Sequence, residues 1–262
     1  AHPGASVVIW TTTPWTIPTN QALAYGPEVE YVLVELKGIA RDGAELSPHL
    51  GKRVLVSDAL FEAFSKRVGN IEFDEGVAHR RRFKGSDLAG TIARHPMHAL
   101  GGFFAKPRPF LPGDFVTTES GTGLVHMAPD HGEDDFILCK ANGIDPVFAV
   151  EGDGKYREDW LWLGGQGSVI NPKFNAPDGQ ICTELRESGG LLAASTDYKH
   201  SYPHSWRSKA KVIFRCTPQW FVPMDRKIDR QAALCANEAE IRADQGAGET
   251  LRETALRAIS DT

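Results

Sequence analysis

Nothing in this 262-residue sequence stays apolar long enough to cross a bilayer, so no membrane-spanning helix is expected. No basic, apolar, small-residue leader opens it, so nothing points to export and a cytoplasmic location is expected. Cysteine is scarce: Cys139, Cys182, Cys216 and Cys235 are scattered, with no Cys-x-x-Cys pair. That is the pattern of reduced thiols and excludes a disulfide framework. Positive charge is also in deficit, 29 Lys and Arg against 34 Asp and Glu, for a net charge of -5. A free-standing duplex binder is usually basic, because phosphate contacts supply most of its affinity. This chain is not expected to hold a long duplex alone, although it could receive a single-stranded end. No glycine-rich fingerprint opens a helix after the first strand, so a nucleotide-binding doubly wound sheet is not supported.

What is present suffices for one large domain, or one domain with an appendage, at 41% hydrophobic residues. Short strand-like runs occupy residues 7–10, 31–36, 53–57, 91–94, 115–118 and 123–127, each bounded by Gly, Pro or Asp. Helices are predicted over 58–68, 136–142 and 179–188. Many short strands with a few helices favour a mixed α/β fold, a compact barrel-like core of short strands with covering helices. Residues 106–114, with three prolines, read as an irregular link, and 152–177 as a loop-rich insert whose Trp160 and Trp162 pack locally. The run His79-Arg80-Arg81-Arg82-Phe83-Lys84 reads either as a solvated loop or strand edge or as a local phosphate contact. After Phe221 the character changes. Residues 228–243 favour helix, Gln245-Gly246-Ala247-Gly248 breaks it, and Thr250 with Glu253 matches a capping box. Leu251, Ala255 and Ile259 then share one face. Residues 226–262 are thus expected to form a helical appendage to a domain spanning 1–225, and the chain stops at Thr262 as an excised fragment would.

The chemistry concentrates in two stretches. Val7-Val8-Ile9-Trp10 reads as a strand and runs into Thr11-Thr12-Thr13-Pro14-Trp15-Thr16, with Asn20 beyond. A strand that ends in hydroxyls and is then broken by Pro14 and Pro18 suits the rim of a polar pocket; it equally suits β-branched filler before a turn. The second stretch runs Gly121-Thr122-Gly123-Leu124-Val125-His126-Met127-Ala128-Pro129-Asp130-His131-Gly132-Glu133-Asp134-Asp135-Phe136. Asp135 falls in a first helical turn, where unpaired amides and the helix dipole stabilise an ionised carboxylate. Such a carboxylate suits an ammonium group, or is simply an acidic helix start. His126 on a strand is by default a core histidine. His126, His131 and Asp135 together leave a metal-dependent hydrolase open as an alternative.

These two stretches, with His204-Ser205-Trp206-Arg207-Ser208-Lys209, Val212-Ile213-Phe214-Arg215 and Thr217-Pro218-Gln219-Trp220-Phe221, resemble the editing domain of isoleucyl-tRNA synthetases. The resemblance spans roughly residues 6–225. It implies hydrolysis of valine esterified to the 3'-terminal adenosine of tRNA(Ile), and of valyl-adenylate as a further substrate. It gives Thr11, Thr12 and Thr13 the work of binding that adenosine and placing a water, with Asp135 holding the α-ammonium. His126 becomes a steric gauge of the side chain, while Trp10, Thr16, Asn20 and His131 line the site, Asn20 holding either the loop or the ribose. The partners implied are tRNA(Ile) and the remainder of the synthetase chain, toward whose catalytic domain 226–262 would lead. ATP and Mg belong to that catalytic domain, whose signature motifs are missing, so no cofactor is expected here. Ser205 and Ser208 stand where many relatives carry cysteines, and serine is a poor zinc ligand, so no structural zinc is expected. Asp130 stands where relatives commonly have glycine, at a turn in which a positive φ would favour glycine. A non-catalytic module binding the tRNA end is the remaining alternative.

Overall fold

The computed structural model describes residues 4–39, 49–68, 71–73, 81–227 and 250–261. The chain divides into two compact units, Ala1–Cys216 and Thr217–Thr262.

The first unit is built on two small sheets. One contains β1 (Ala5–Val7), β4 (Arg53–Ser57), β3 (Glu30–Ile39) and β5 (Ile71–Phe73) in that order, with β6 (Arg81–Lys84) also paired to β3. The other has the order β7 (Ile92–Ala93), β8 (Arg108–Pro112), β2 (Ala22–Tyr25), β9 (Leu124–Met127). Strand alternation explains how they meet, since successive side chains point to opposite faces. Tyr31 and Leu33 of β3 and Leu55 of β4 join Leu23, Tyr25, Phe110 and Leu124 of the other sheet in one cluster. The intervening Val32, Val34, Val54 and Val56 pack with Phe64 of helix α1 (Phe61–Arg67). On the far side of the second sheet, Ala22, Ala24, Leu111 and Met127 pack with Cys139 of helix α3 (Glu133–Ala141). The Tyr31 hydroxyl ties the layers, accepting from the Gly26 amide at 2.9 Å and donating to the Gly123 carbonyl at 2.6 Å. Further apolar residues, among them Trp15, Ile17, Phe104, Tyr156, Trp160 and Phe174, form a separate core. Helices α2 (Gly102–Ala105), α4 (Pro172–Asn175) and α5 (Gln180–Glu187) contribute to it through Phe104, Phe174 and Ile181.

The mixed α/β class is as expected, and the core takes the form of these two sheets with no closed barrel among the described residues. Three local expectations are corrected. Residues 106–114 contain β8 and are not an irregular link. Phe110 donates to the Thr91 carbonyl and Gly113 to that of Tyr25, so non-proline amides carry the ladder around Pro109 and Pro112. Residues 115–118 are not a strand; the chain there turns after Gly113, with the Val116 amide bonded to the Gly113 carbonyl. The first strand stops at Val7, ahead of Trp10 and the threonines, and the Val8 amide still reaches the Leu55 carbonyl at 3.3 Å. In the basic run, residues 81–84 are strand β6, where Arg82 pairs with Asp58 and Lys84 with Glu28.

The second unit contains helix α6 (Leu251–Ser260), opened by the anticipated capping box. Thr250 Oγ1 accepts from the Glu253 amide at 3.1 Å, and the Glu253 carboxylate accepts from the Thr250 amide at 2.8 Å. Leu251 and Ile259 are exposed. The helix predicted over 228–243, Cys235, His79 and Arg80 lie outside the described residues.

Candidate active site

Beyond β1 the chain leaves the sheet and folds its hydroxyls inward. Thr11 Oγ1 accepts from the Thr13 amide at 3.0 Å and lies 3.2 Å from Thr13 Oγ1, a side-chain turn of the kind threonine favours. Pro14, with its φ preset and no amide to satisfy, then opens a 3-10 turn over Pro14–Thr19. Thr16 donates to the Thr13 carbonyl at 2.9 Å, and Thr19 to the Thr16 carbonyl at 2.9 Å. The turn is held from beneath. The Tyr156 hydroxyl donates to the Trp15 carbonyl, and His95 Nε2 donates to the Ile17 carbonyl at 2.9 Å. His95 Nδ1 accepts from the Met97 amide at 3.0 Å, which fixes its neutral tautomer.

His126 reaches the same turn from β9. Its Nε2 lies 3.0 Å from Thr16 Oγ1. Because the Thr16 hydroxyl hydrogen goes to the Thr13 carbonyl, the oxygen accepts and His126 Nε2 donates. Nδ1 is then the acceptor nitrogen, and it is buried with no hydrogen-bond partner among the described residues. His131 sits edge-on to Trp15, ring centroids 4.7 Å apart, and donates from Nδ1 to the Phe214 carbonyl at 2.9 Å. Its Nε2 is likewise buried without a partner among the described residues. Burial pushes His126 down to about 4, with His131 adding to the effect, and pushes His131 below its ordinary value. Both rings are therefore neutral at neutral pH.

Asp135 lies in the first turn of α3 and folds back across the tight turn that follows β9. Its Oδ2 accepts from the Ala128 amide at 2.7 Å, two residues beyond His126. Gly132 makes room for it, since a Cβ there would stand 2.7 Å from the Asp135 carboxyl carbon. Helix amides are expected to keep this carboxylate ionised at neutral pH, and at neutral pH it is still mostly so. Desolvation by burial outweighs them and raises Asp135 to about 6.

The structure thus links Thr11, Thr13, Thr16 and His126 by hydrogen bonds, with His131 against Trp15 and Asp135 anchored on the same β9 exit. Thr12 is exposed beside them. Trp10 turns to Tyr198, 4.7 Å away and edge-on. The Asn20 amide donates to the Ala22 carbonyl at 2.8 Å and lies 3.5 Å from that of Met127, so of the two roles open to it the loop-holding one has the contacts. Asp130 is buried and its φ is not positive; its carboxylate accepts from the amides of Val147 and Phe148. No three His, Cys, Asp or Glu side chains among the described residues group to hold a metal ion. Sequence reasoning missed His95, Tyr156 and Gly132. Only Gly132 carried a signal, as the small residue at the start of an acidic helix.

No family model matches the chain. It is 58% identical over 258 residues to isoleucine–tRNA ligase of Zymomonas mobilis subsp. mobilis, which covers 98% of this chain and 24% of that relative. This chain is homologous to a segment of isoleucine–tRNA ligases. The ligase of Gluconobacter oxydans is 43% identical over 232 residues, 85% of this chain and 23% of its own length. That of Caulobacter vibrioides is 38% identical over 268 residues, 99% and 25%. The chain spans about a quarter of the length of these isoleucine–tRNA ligases. Among solved structures it is similar to GlLeuRS-CP1, with a TM-score of 0.39 and 19% identity, covering 53% of this chain and 45% of that one. The P. knowlesi cytosolic leucyl-tRNA synthetase editing domain matches with a TM-score of 0.38 and 14% identity, covering 50% and 48%.

Proposed function

We propose that the chain is the editing domain of an isoleucyl-tRNA synthetase and hydrolyses valine from the 3'-terminal adenosine of tRNA(Ile). The observation that carries the reading is the hydrogen-bonded series Thr13–Thr16–His126, which couples a hydroxyl-rich turn to a neutral histidine. In this reading the Asp135 carboxylate pairs with the α-ammonium of the ester. The His126 ring limits the depth of the pocket, admitting valine and obstructing one more methylene. Such a second pocket is useful because a methylene supplies only about 1–3 kcal/mol of discrimination, a limit for which the isoleucyl enzymes are the standard illustration. Thr11, Thr12 and Thr13 hold the adenosine and orient a water. The water oxygen adds to the ester carbonyl, the ribose oxygen leaves and takes a proton, and valine and uncharged tRNA result. A threonine hydroxyl is no base at neutral pH, so positioning supplies the rate, with the neighbouring ribose hydroxyl steering the water. Valyl-adenylate offers the same ammonium and side chain, and is a second substrate in this reading.

Residues 1–225 would be the editing domain, with 152–177 as an insert, and 226–262 would lead to the catalytic domain of the same cytoplasmic enzyme. The test is release of free amino acid from valyl-tRNA(Ile) and isoleucyl-tRNA(Ile) by the purified chain, with and without a chelator. Valine released, isoleucine spared and no effect of chelation is the expected result. Binding without release would leave a non-catalytic module, and a chelator-sensitive rate restored by a stoichiometric metal would favour the metal-dependent alternative.

A further inference from the structure

Beyond the pocket, residues 198–204 place aromatic rings at alternate positions of an extended segment: Tyr198, His200, Tyr202 and His204. Consecutive rings contact one another, with centroids 5.9, 6.1 and 6.2 Å apart, the first pair stacked and the other two edge-on. Alternate side chains of extended chain stand about 6.6 Å apart, so the backbone itself sets this spacing. The series begins at Trp10, whose ring meets Tyr198 at 4.7 Å immediately before the threonine turn. Cations flank it: Arg67 lies 5.4 Å from the centre of the Tyr198 ring and 5.9 Å from that of Trp10, and Lys211 lies 5.4 Å from that of Tyr202. Lys211 is brought there by a hairpin in which the Val212 amide bonds the Pro203 carbonyl and Ser205 bonds Ala210. Tyr198, His200 and His204 are exposed and Tyr202 is half-buried. Between Tyr198 and Cys216 stand Lys199, Arg207, Lys209, Lys211 and Arg215, with no Asp or Glu, in a chain whose net charge is -5.

Exposed rings in a row, bracketed by cations in a locally basic stretch of an acidic chain, fit a ligand with flat faces and regularly spaced negative charge. Unpaired nucleotides have both, and a duplex hides its faces. We propose that the Tyr198–His200–Tyr202–His204 ladder is a stacking track for single-stranded RNA, leading past Trp10 to the threonine turn. The inference rests on the editing reading for the source of the strand, the unpaired end of a tRNA.

The test is fluorescence anisotropy of the 262-residue chain with a labelled eight-nucleotide single-stranded RNA and with the same strand in duplex. Single-strand binding should exceed duplex binding and weaken with salt. Tyr198→Ala should weaken it about tenfold, while Tyr198→Phe, which keeps the ring, should restore it. Equal affinity of wild type and Tyr198→Ala, or a preference for duplex, would overturn the proposal. Hydrolysis separates the two readings. With valyl-adenosine as substrate Tyr198→Ala should match wild type, whereas with valyl-tRNA its KM should rise about tenfold at unchanged kcat. A chain that cleaves no ester yet shows the ring-dependent preference for single strands would refute editing and support the track.

Discussion

Thr16 Oγ1 lies 3.0 Å from Nε2 of His126, so the ring that would measure the substrate side chain is itself held by the threonine turn. Two substitutions separate gauge from holder. His126→Ala should let the chain hydrolyse isoleucyl-tRNA(Ile), narrowing its preference for valine about ten- to 100-fold, the worth of one methylene. Thr16→Val leaves the ring in place without its acceptor, at a cost of about 1–3 kcal/mol in stability, and should narrow the preference less. Initial rates on the two charged tRNAs, with urea midpoints, check both. A His126→Ala chain that still spares isoleucine would remove the gauge from the reading.

Gly132 permits the Asp135 carboxylate to reach Ala128. A methyl at Gly132 would stand 2.7 to 2.9 Å from three atoms of that carboxyl group, so the side chain must swing away. Gly132 has φ -126°, so alanine there carries no backbone strain. Gly132→Ala should therefore cost what the lost Ala128 bond is worth, about 1–3 kcal/mol in stability, while lowering kcat/KM on valyl-tRNA at least about tenfold, the usual scale for a mispositioned binding group. Unchanged turnover would mean that Asp135 has no part in binding.

Burial raises Asp135 to about 6. An ammonium is held by the ionised carboxylate, so kcat/KM on valyl-tRNA should be greatest near pH 7, fall about tenfold per unit well below pH 6, and decline again above about pH 8 as the α-amino group of the ester loses its proton. Asp135→Asn should remove that acid limb together with most of the activity. Its stability should move the other way. The ionised carboxylate is disfavoured by burial, and the Asn oxygen still accepts from Ala128, so the urea midpoint at pH 7.5 should be unchanged or higher. A large loss of stability would make Asp135 a structural anchor.

Much of the architecture could be read along the chain wherever a residue pattern answers to local geometry. The valine-rich β3 and β4, the capping box at Thr250 and the break at Pro14 are of that kind. Strand β2 reads Ala-Leu-Ala-Tyr, and β8 carries two of its own prolines; both exist because they pair with each other across more than eighty residues, which no short window reveals. The adjacency of the threonine turn to His126 is implied by the resemblance and not by spacing. The supports of that turn, His95 and Tyr156, are single residues on distant segments, chosen by where a carbonyl needs a donor. The raised value of Asp135 was hidden for a different reason. Dipole stabilisation is a local property and desolvation is not, and here desolvation dominates.

The buried histidines make the fold acid-sensitive before the carboxylates do. Burial pushes His95 and His126 down to about 4, and His131 is lowered as well. In the unfolded chain these rings take up protons near their ordinary value of about 6.5. Between there and about 4 the unfolded state binds more protons, so stability falls as pH falls. Asp135 works against this, because its folded-state value is raised and the native chain takes up the proton first. The histidines outnumber it, so the net slope keeps the histidine sign, at about 1.4 kcal/mol per pH unit for each surplus proton. His95 is the clearest case, since protonation at Nδ1 would break its bond from the Met97 amide and loosen the turn it supports. Urea midpoints from pH 7.5 to 4.5 should decline steadily. His95→Gln should be less stable at pH 7.5 and should show a shallower decline. A midpoint independent of pH across that window would mean that these rings are already protonated in the fold, and that the neutral Thr16–His126 pairing is wrong.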